Sequence, residues 1–218
     1  MLYYQIINER VKERKGGHHS AKSLLYSVDF QEIKDLQHQG NWTEAAKVMI
    51  ESAQKLEAGG ADVIVICTNT MHKMAPEVMN SISIPLLHIA DATANKIVDD
   101  KIKKVGLLGT AFTMEQEFYK GRLIDQFGLE IIVPDEADRV DIHDIIYHEL
   151  CLGIINEHSK KRYLDVIDSL IRKGAEAVIL GCTEITLLIS QEDCNIPVYD
   201  TTRLHAEAAV DFALGDEE

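Results

Sequence analysis

Four cysteines stand at positions 67, 151, 182 and 194, and their contexts decide what they could do. None forms a C-x-x-C pair, and the intervals match no zinc framework. In a reducing compartment they are free thiols. Two of them share a context. Residues 58–70 read AGGADVIVICTNT and residues 172–185 read RKGAEAVILGCTEI. Both run from a helix end through glycine, alanine and an acidic residue into an apolar strand that stops at Cys-Thr. A single cysteine at a strand end is most often a small buried hydrophobe. Cys67 and Cys182, in matching contexts, point instead to paired chemistry. Cys151 and Cys194 have no such counterpart and read as structural.

Two opposed thiols suit inversion at a carbon acid. A thiolate on one face of a bound amino acid removes the α-proton, and a thiol on the other face returns one. The residues after each cysteine suit the rest of the task. Thr68, Asn69 and Thr70 follow the first, and Thr183 and Glu184 the second, offering hydroxyl, amide and carboxylate groups to a substrate carboxylate and ammonium. Glu184 serves either the ammonium or the dipole of the helix it opens. A helix start after each cysteine leaves backbone N–H groups free to hold a carboxylate. The same positive end is expected to lower each thiol's pKa toward neutrality.

The elements that would position these groups alternate. Strands are expected at 21–30, 62–67, 85–89, 104–109, 130–133, 177–180 and 196–199. Helices are expected at 42–58, 71–80, 92–99, 142–152, 159–173 and 201–214, and Thr113 with Gln116 reads as a capping box. Apolar strands separated by helices give an α/β fold with parallel sheets covered by helices, and such folds bind ligands at the carboxyl ends of their strands. The repeat continues downstream, as IPLLHIADATANKI and IPVYDTTRLHAEAA, each with an Asp (Asp91, Asp200) placed to start a helix. Two pseudo-symmetric α/β half-domains follow, residues 1–98 with 200–218 and residues 99–199, with the active site in the cleft between them. The second half opens with a strand and turn, KVGLLGTAFTMEQ, before its first helix. The first half opens directly on the helix LYYQIINERVKERKGG, so the reading expects one strand and one loop to be missing there.

Composition narrows the partners. A formal net charge of −14, ending in Asp216, Glu217 and Glu218, disfavours nucleic acid and anionic membranes. No apolar run reaches a membrane span, and no secretory pattern opens the chain, so the cytoplasm is the default location. There is no P-loop and no G-x-G-x-x-G, no lysine stands in a pyridoxal phosphate context, and His18-His19 is a poor metal signal. No cofactor and no metal are expected.

The motifs Cys67-Thr68-Asn69-Thr70-Met71-His72 and Gly181-Cys182-Thr183-Glu184-Ile185 resemble the aspartate/glutamate racemase family. Ser27-Val28-Asp29-Phe30 with Gln37, His88-Ile89-Ala90-Asp91, and Leu108-Gly109-Thr110 through Met114-Glu115-Gln116 support the resemblance over almost the whole chain. It implies two facing α/β halves and cofactor-independent inversion of aspartate, glutamate or a broader set of amino acids. Cys67 and Cys182 would be the two bases. Thr68, Asn69, Thr70, Thr183 and Thr110 would bind substrate, with Ser27 and Gln37 near the cleft and a homodimer as the assembly. Members of the family begin with a strand and a glycine-rich turn that this sequence lacks. Basic residues to clamp a side-chain carboxylate cannot be placed. Two other readings stand beside this one: a ligand-binding homologue without catalysis, and a related enzyme of the hydantoin racemase or maleate isomerase type.

Overall fold

The structure, a computed structural model, describes residues 1–215; the acidic end Asp216, Glu217 and Glu218 lies outside the described residues. Helices α1 (Leu2–Lys15), α2 (Phe30–His38) and α3 (Trp42–Ala58) come first, followed by β1 (Ile64–Val65), α4 (Ala75–Met79), β2 (Leu86–Leu87) and α5 (Ile89–Asp99). Then come β3 (Lys104–Gly109), α6 (Ala111–Glu115), α7 (Lys120–Phe127), β4 (Glu130–Ile132), α8 (Glu136–His148), α9 (Glu157–Arg172), β5 (Ala177–Gly181), β6 (Val198–Asp200) and α10 (Thr201–Leu214). All strand pairs are parallel, in a two-stranded sheet β1-β2 and a four-stranded sheet β4-β3-β5-β6. Helices flank both sheets, so the α/β class expected from the alternation is the observed one.

Strands β3 and β5 are the most deeply covered part of the molecule. Val105, Leu107, Leu108, Val178 and Ile179 are fully buried, as both-faced strands require. Helices α8 and α9 cover one face through Ile142, Ile146, Tyr163, Val166 and Leu170. Helix α5 covers the other with Ile89, Ala94 and Ile97, joined by Leu123 of α7. A separate core holds β1, α3 and α4 together through Ala45, Ile64, Met74 and Val78. Helix α5, although it leaves the small sheet, packs on the large one. Conversely, α10 leaves the large sheet and meets α1 and Val65 of β1 through Tyr3, Ile6 and Ala206. The two sheets are thus tied by exchanged helices.

The internal repeat has a backbone counterpart. Ile64 N–H donates to the Pro85 carbonyl at 2.9 Å, and Val178 N–H donates to the Pro197 carbonyl at 2.9 Å. Both Ile-Pro pairs lead into a strand and then a helix, capped by His88 in one copy and Asp200 in the other. Asp200 accepts from the N–H groups of Thr202 and Arg203. Asp91 is not its equivalent. It lies inside the first turn of α5 and pairs with Arg122 of α7, Nη2 to Oδ2 at 2.7 Å.

Several elements depart from expectation, three of them near the candidate site or its caps. Residues 21–30 form no strand. Leu24, Leu25, Tyr26 and Val28 are exposed, and the segment drapes along α3, where Tyr26 Oη accepts from Lys55 Nζ at 2.9 Å. Its β-branched and aromatic content imitates a strand, but no sheet edge lies against it. Asp29 instead caps α2, accepting from Gln31 N–H. The strand at 62–67 shrinks to two paired residues because β1 has only β2, itself two residues long, as a partner. Finally, Thr110 rather than Thr113 caps α6, its hydroxyl accepting from Thr113 N–H.

Candidate active site

Two glycines set the floor of the site. Gly109 ends β3 and Gly181 ends β5, and they are paired in register. A Cβ on Gly109 would meet the Gly181 carbonyl oxygen at 2.8 Å, and one on Gly181 would meet the Leu108 carbonyl oxygen at 2.8 Å. Only glycine allows these backbones to close so tightly. The next residue on each strand, Thr110 and Cys182, is therefore delivered to the same edge of the sheet.

A small cavity of about 50 Å³ lies there. Its wall comes from both sheets: Thr68, Asn69 and Thr70 follow β1, while Thr110, Gly181, Cys182 and Glu184 follow β3 and β5. Phe30 and Gln37 of α2 and Ile146, Tyr147 and Cys151 complete it. The hydroxyls of Thr70 and Thr110 lie 3.0 Å apart and both reach Thr113. Gln37 is buried and held at both ends: Oε1 accepts from Tyr147 Oη at 2.9 Å, and Nε2 lies 3.1 Å from the Met71 sulfur. Asn69 Nδ2 donates to Thr201 Oγ1 at 3.0 Å. Its side-chain oxygen Oδ1 is buried and has no hydrogen-bond partner. A buried unpaired acceptor costs stability.

Cys182 is buried, and its Sγ donates to Glu184 Oε2 at 3.0 Å. Burial, then the adjoining Glu184 carboxylate, pushes this thiol well up from its ordinary pKa. The expectation that a helix end would lower it fails for a physical reason. The segment after Cys182 is a five-residue 3-10 turn, Thr183–Leu187, too short for a strong dipole and opening on a negative side chain. Glu184 thus both lines the cavity and contacts the thiol.

Cys67 is placed differently. It does not line the cavity, although its neighbour Thr68 does. As a residue it is exposed, yet desolvation by the protein around its sulfur pushes the thiol up to about 11, against the pull of the N-terminal ammonium. A 3-10 turn, Thr70–Met74, follows it as well. Cys67 lies three residues beyond the Ile64 hydrogen bond, whereas Cys182 lies four beyond the matching Val178 bond. The two cysteines are therefore one residue out of step in their strands, and a one-residue slip changes which way a side chain faces.

Of the remaining expected residues, Thr183 is half-buried, its carbonyl accepting from Thr186, and it does not line the cavity. Ser27 is exposed on the irregular segment and does not line it either. Sequence reasoning missed Tyr147 and Cys151. Both come from the end of α8 and the turn after it, a region with no counterpart in the repeat. Cys151, whose unmatched context marks it as structural, lines the cavity; its thiol is pushed up to about 11 by burial and by Glu184, while Lys34 acts in the opposite sense.

A family model described as Asp/Glu/hydantoin racemase matches residues 1–209. The chain belongs to that family. The broad specificity amino-acid racemase RacX of Bacillus subtilis (strain 168) is 26% identical over 175 residues, 78% of this chain and 73% of that protein. The crystal structure of a candidate Asp/Glu racemase from Yersinia pestis shares 53% identity and a TM-score of 0.91, covering 98% of this chain and 93% of that one. PH1733, an aspartate racemase homologue from Pyrococcus horikoshii OT3, shares 31% identity and a TM-score of 0.82, with the same coverages of 98% and 93%. The family is one of racemases, which are isomerases.

Proposed function

We propose that this chain is an amino-acid racemase that inverts the α-carbon by proton transfer between Cys182 and Cys67, without a cofactor. The observation that carries the reading is the cavity wall. The Thr68–Thr70 loop after β1 and the Cys182–Glu184 loop after β5 meet there, and Asn69 on the first loop has a side-chain oxygen without a hydrogen-bond partner. That oxygen is suited to accept from the substrate ammonium, and the Thr70 and Thr110 hydroxyls to donate to its α-carboxylate. Cys182 serves one face of the α-carbon and Cys67 the other. Both thiols are neutral at rest, so each is ready to give a proton. To take one, a thiol must first ionise, and the substrate ammonium favours that by offsetting the Glu184 charge.

Aspartate and glutamate are candidate substrates, within a broader set. Lys34 is suited to meet a side-chain carboxylate at the Cys151 wall. Lys34→Ala is expected to raise KM for aspartate and glutamate about tenfold or more, as loss of a charge-assisted contact would, and to leave KM for neutral amino acids unchanged. Equal effects on both classes would remove Lys34 from this role. The protein is further expected to work as a cytoplasmic homodimer, a state that sedimentation measures directly.

The test of the reaction is proton exchange. In D2O, amino acids offered to the protein should lose the Cα proton signal and appear as both enantiomers. Cys67→Ser and Cys182→Ser should each abolish inversion, and full activity in either would refute the two-thiol scheme. The second reading, a binding protein without catalysis, draws on Cys67 lying outside the cavity wall. It expects saturable binding with no exchange.

A further inference from the structure

A second cavity lies apart from the candidate active site. It has a volume of about 340 Å³ and lies between α3 and the Thr70–Asn80 region. That is the lower end of the size range of small-molecule pockets. Trp42, Ala46 and Ile50 give it an apolar wall, and Lys73 and Glu77 stand across from them.

The charges in this cavity are of two kinds. Lys47 also lines it but is paired with Glu44 at 2.7 Å, so its charge is answered. Lys73 is half-buried, and its contacts are neutral: Gln116 Oε1 at 2.6 Å and the Trp42 ring, whose centroid lies 3.9 Å from Nζ. Burial lowers its pKa, as expected for an ammonium partly removed from water without a carboxylate partner. Glu77 is exposed and forms no ion pair among the described residues. A cation without a carboxylate partner and an exposed carboxylate without an ion pair among the described residues therefore line the same cavity.

We infer that this second cavity binds a small zwitterion, an amino acid with an apolar side chain, through Lys73 to its carboxylate, Glu77 to its ammonium and Trp42 to its side chain. A simple anion would answer Lys73 but meet repulsion from Glu77. A simple cation would do the reverse. A zwitterion answers both and leaves its side chain for Trp42 and Ile50. The 3-10 turn Thr70–Met74 separates the two sites: Thr70 lines the active-site cavity, while Lys73 and Met74 line this one. An occupant would bear on the turn that carries Thr70. The binding claim itself does not depend on the racemase reading.

Trp42 is the sole tryptophan in the chain, so its fluorescence reports on a residue of this cavity's wall. The full chain should show a saturable fluorescence change with L-valine. Acetate and methylammonium should each bind at least about tenfold more weakly, since each forgoes one charge-assisted contact. Lys73→Met and Glu77→Gln should each weaken L-valine about tenfold or more, with Lys73→Arg restoring much of it. Circular dichroism checks that each variant is folded. Cys182→Ser should leave the titration intact, because that thiol lies in the other cavity. Three results would overturn the inference: no saturable change up to the solubility of L-valine, binding by Lys73→Met or Glu77→Gln as tight as by the unsubstituted chain, or loss of the signal in Cys182→Ser.

Discussion

Cys182 and Glu184 form a donor–acceptor pair whose consequence is a pH dependence. The thiol is held up by burial and by the carboxylate beside it. Proton abstraction needs the thiolate, whose fraction grows as pH rises toward a raised pKa. The rate constant kcat/KM should therefore climb steadily from pH 6 to pH 9 rather than level off near neutrality. Glu184→Gln removes the negative charge while keeping a side chain of the same shape. The thiol pKa should fall, and the rising limb should move to lower pH. A limb that stays in place, measured on the same substrate, would mean that Glu184 does not act through Cys182. This pair was half legible in the sequence. The Cys-Thr-Glu order put the carboxylate near the thiol, but its contact with Sγ depends on the tight 3-10 turn that replaces the expected helix.

At the scale of elements, the β3–β5 contact determines where the site can be. Gly109 and Gly181 are the last residues of their strands, and each would drive a Cβ into the other strand's backbone at 2.8 Å. Gly181→Ala must part the strand ends, shifting Cys182 and Thr110 relative to the loop after β1. Overpacking of this kind costs about 1–3 kcal/mol, and thermal unfolding should show it. Activity should fall by more than that loss of stability predicts, because the cavity itself is displaced. The strands β3 and β5 were readable as unbroken apolar runs ending in glycine, and α3 and α10 were readable from their caps and stops. Residues 21–30 were not readable, because Leu24, Leu25 and Tyr26 are strand formers that rest on α3 instead of a sheet. Nor was the step between Cys67 and Cys182, since a shared motif does not fix the register of the strand beneath it. Cys67 lies past the end of β1 and outside the cavity lining.

At the scale of the whole molecule, three histidines tie the exchanged helices to the small sheet, and they make the fold sensitive to acid. His72 lies on the turn after β1, His88 caps α5, and His205 lies on α10. Their rings are close, with centroids 4.6 Å apart for His72 and His88 and 5.6 Å for His72 and His205. His72 Nδ1 faces the Thr68 carbonyl at 2.7 Å, and its Nε2 accepts from Ile89 N–H at 3.2 Å. His205 Nε2 faces the Leu87 carbonyl at 3.0 Å, and its Nδ1 lies 2.9 Å from Tyr3 Oη. His88 Nδ1 accepts from Ala90 N–H at 3.2 Å. Each ring is thus a neutral donor and acceptor, and protonation would break an accepted bond. Burial lowers all three pKa values: His72 well below normal, His88 to about 3 and His205 to about 4. In the unfolded chain they titrate near 6.5. As pH falls below 6.5 the unfolded state takes up protons that the folded state refuses, so stability declines through that window until the folded-state values are reached. The melting temperature should therefore fall measurably between pH 6.5 and pH 5.5, above the range in which most carboxylates titrate. His88→Asn keeps a side chain able to cap α5 but cannot take up a proton. It should melt with a shallower pH slope in that window, and an unchanged slope would exclude His88 from the acid response.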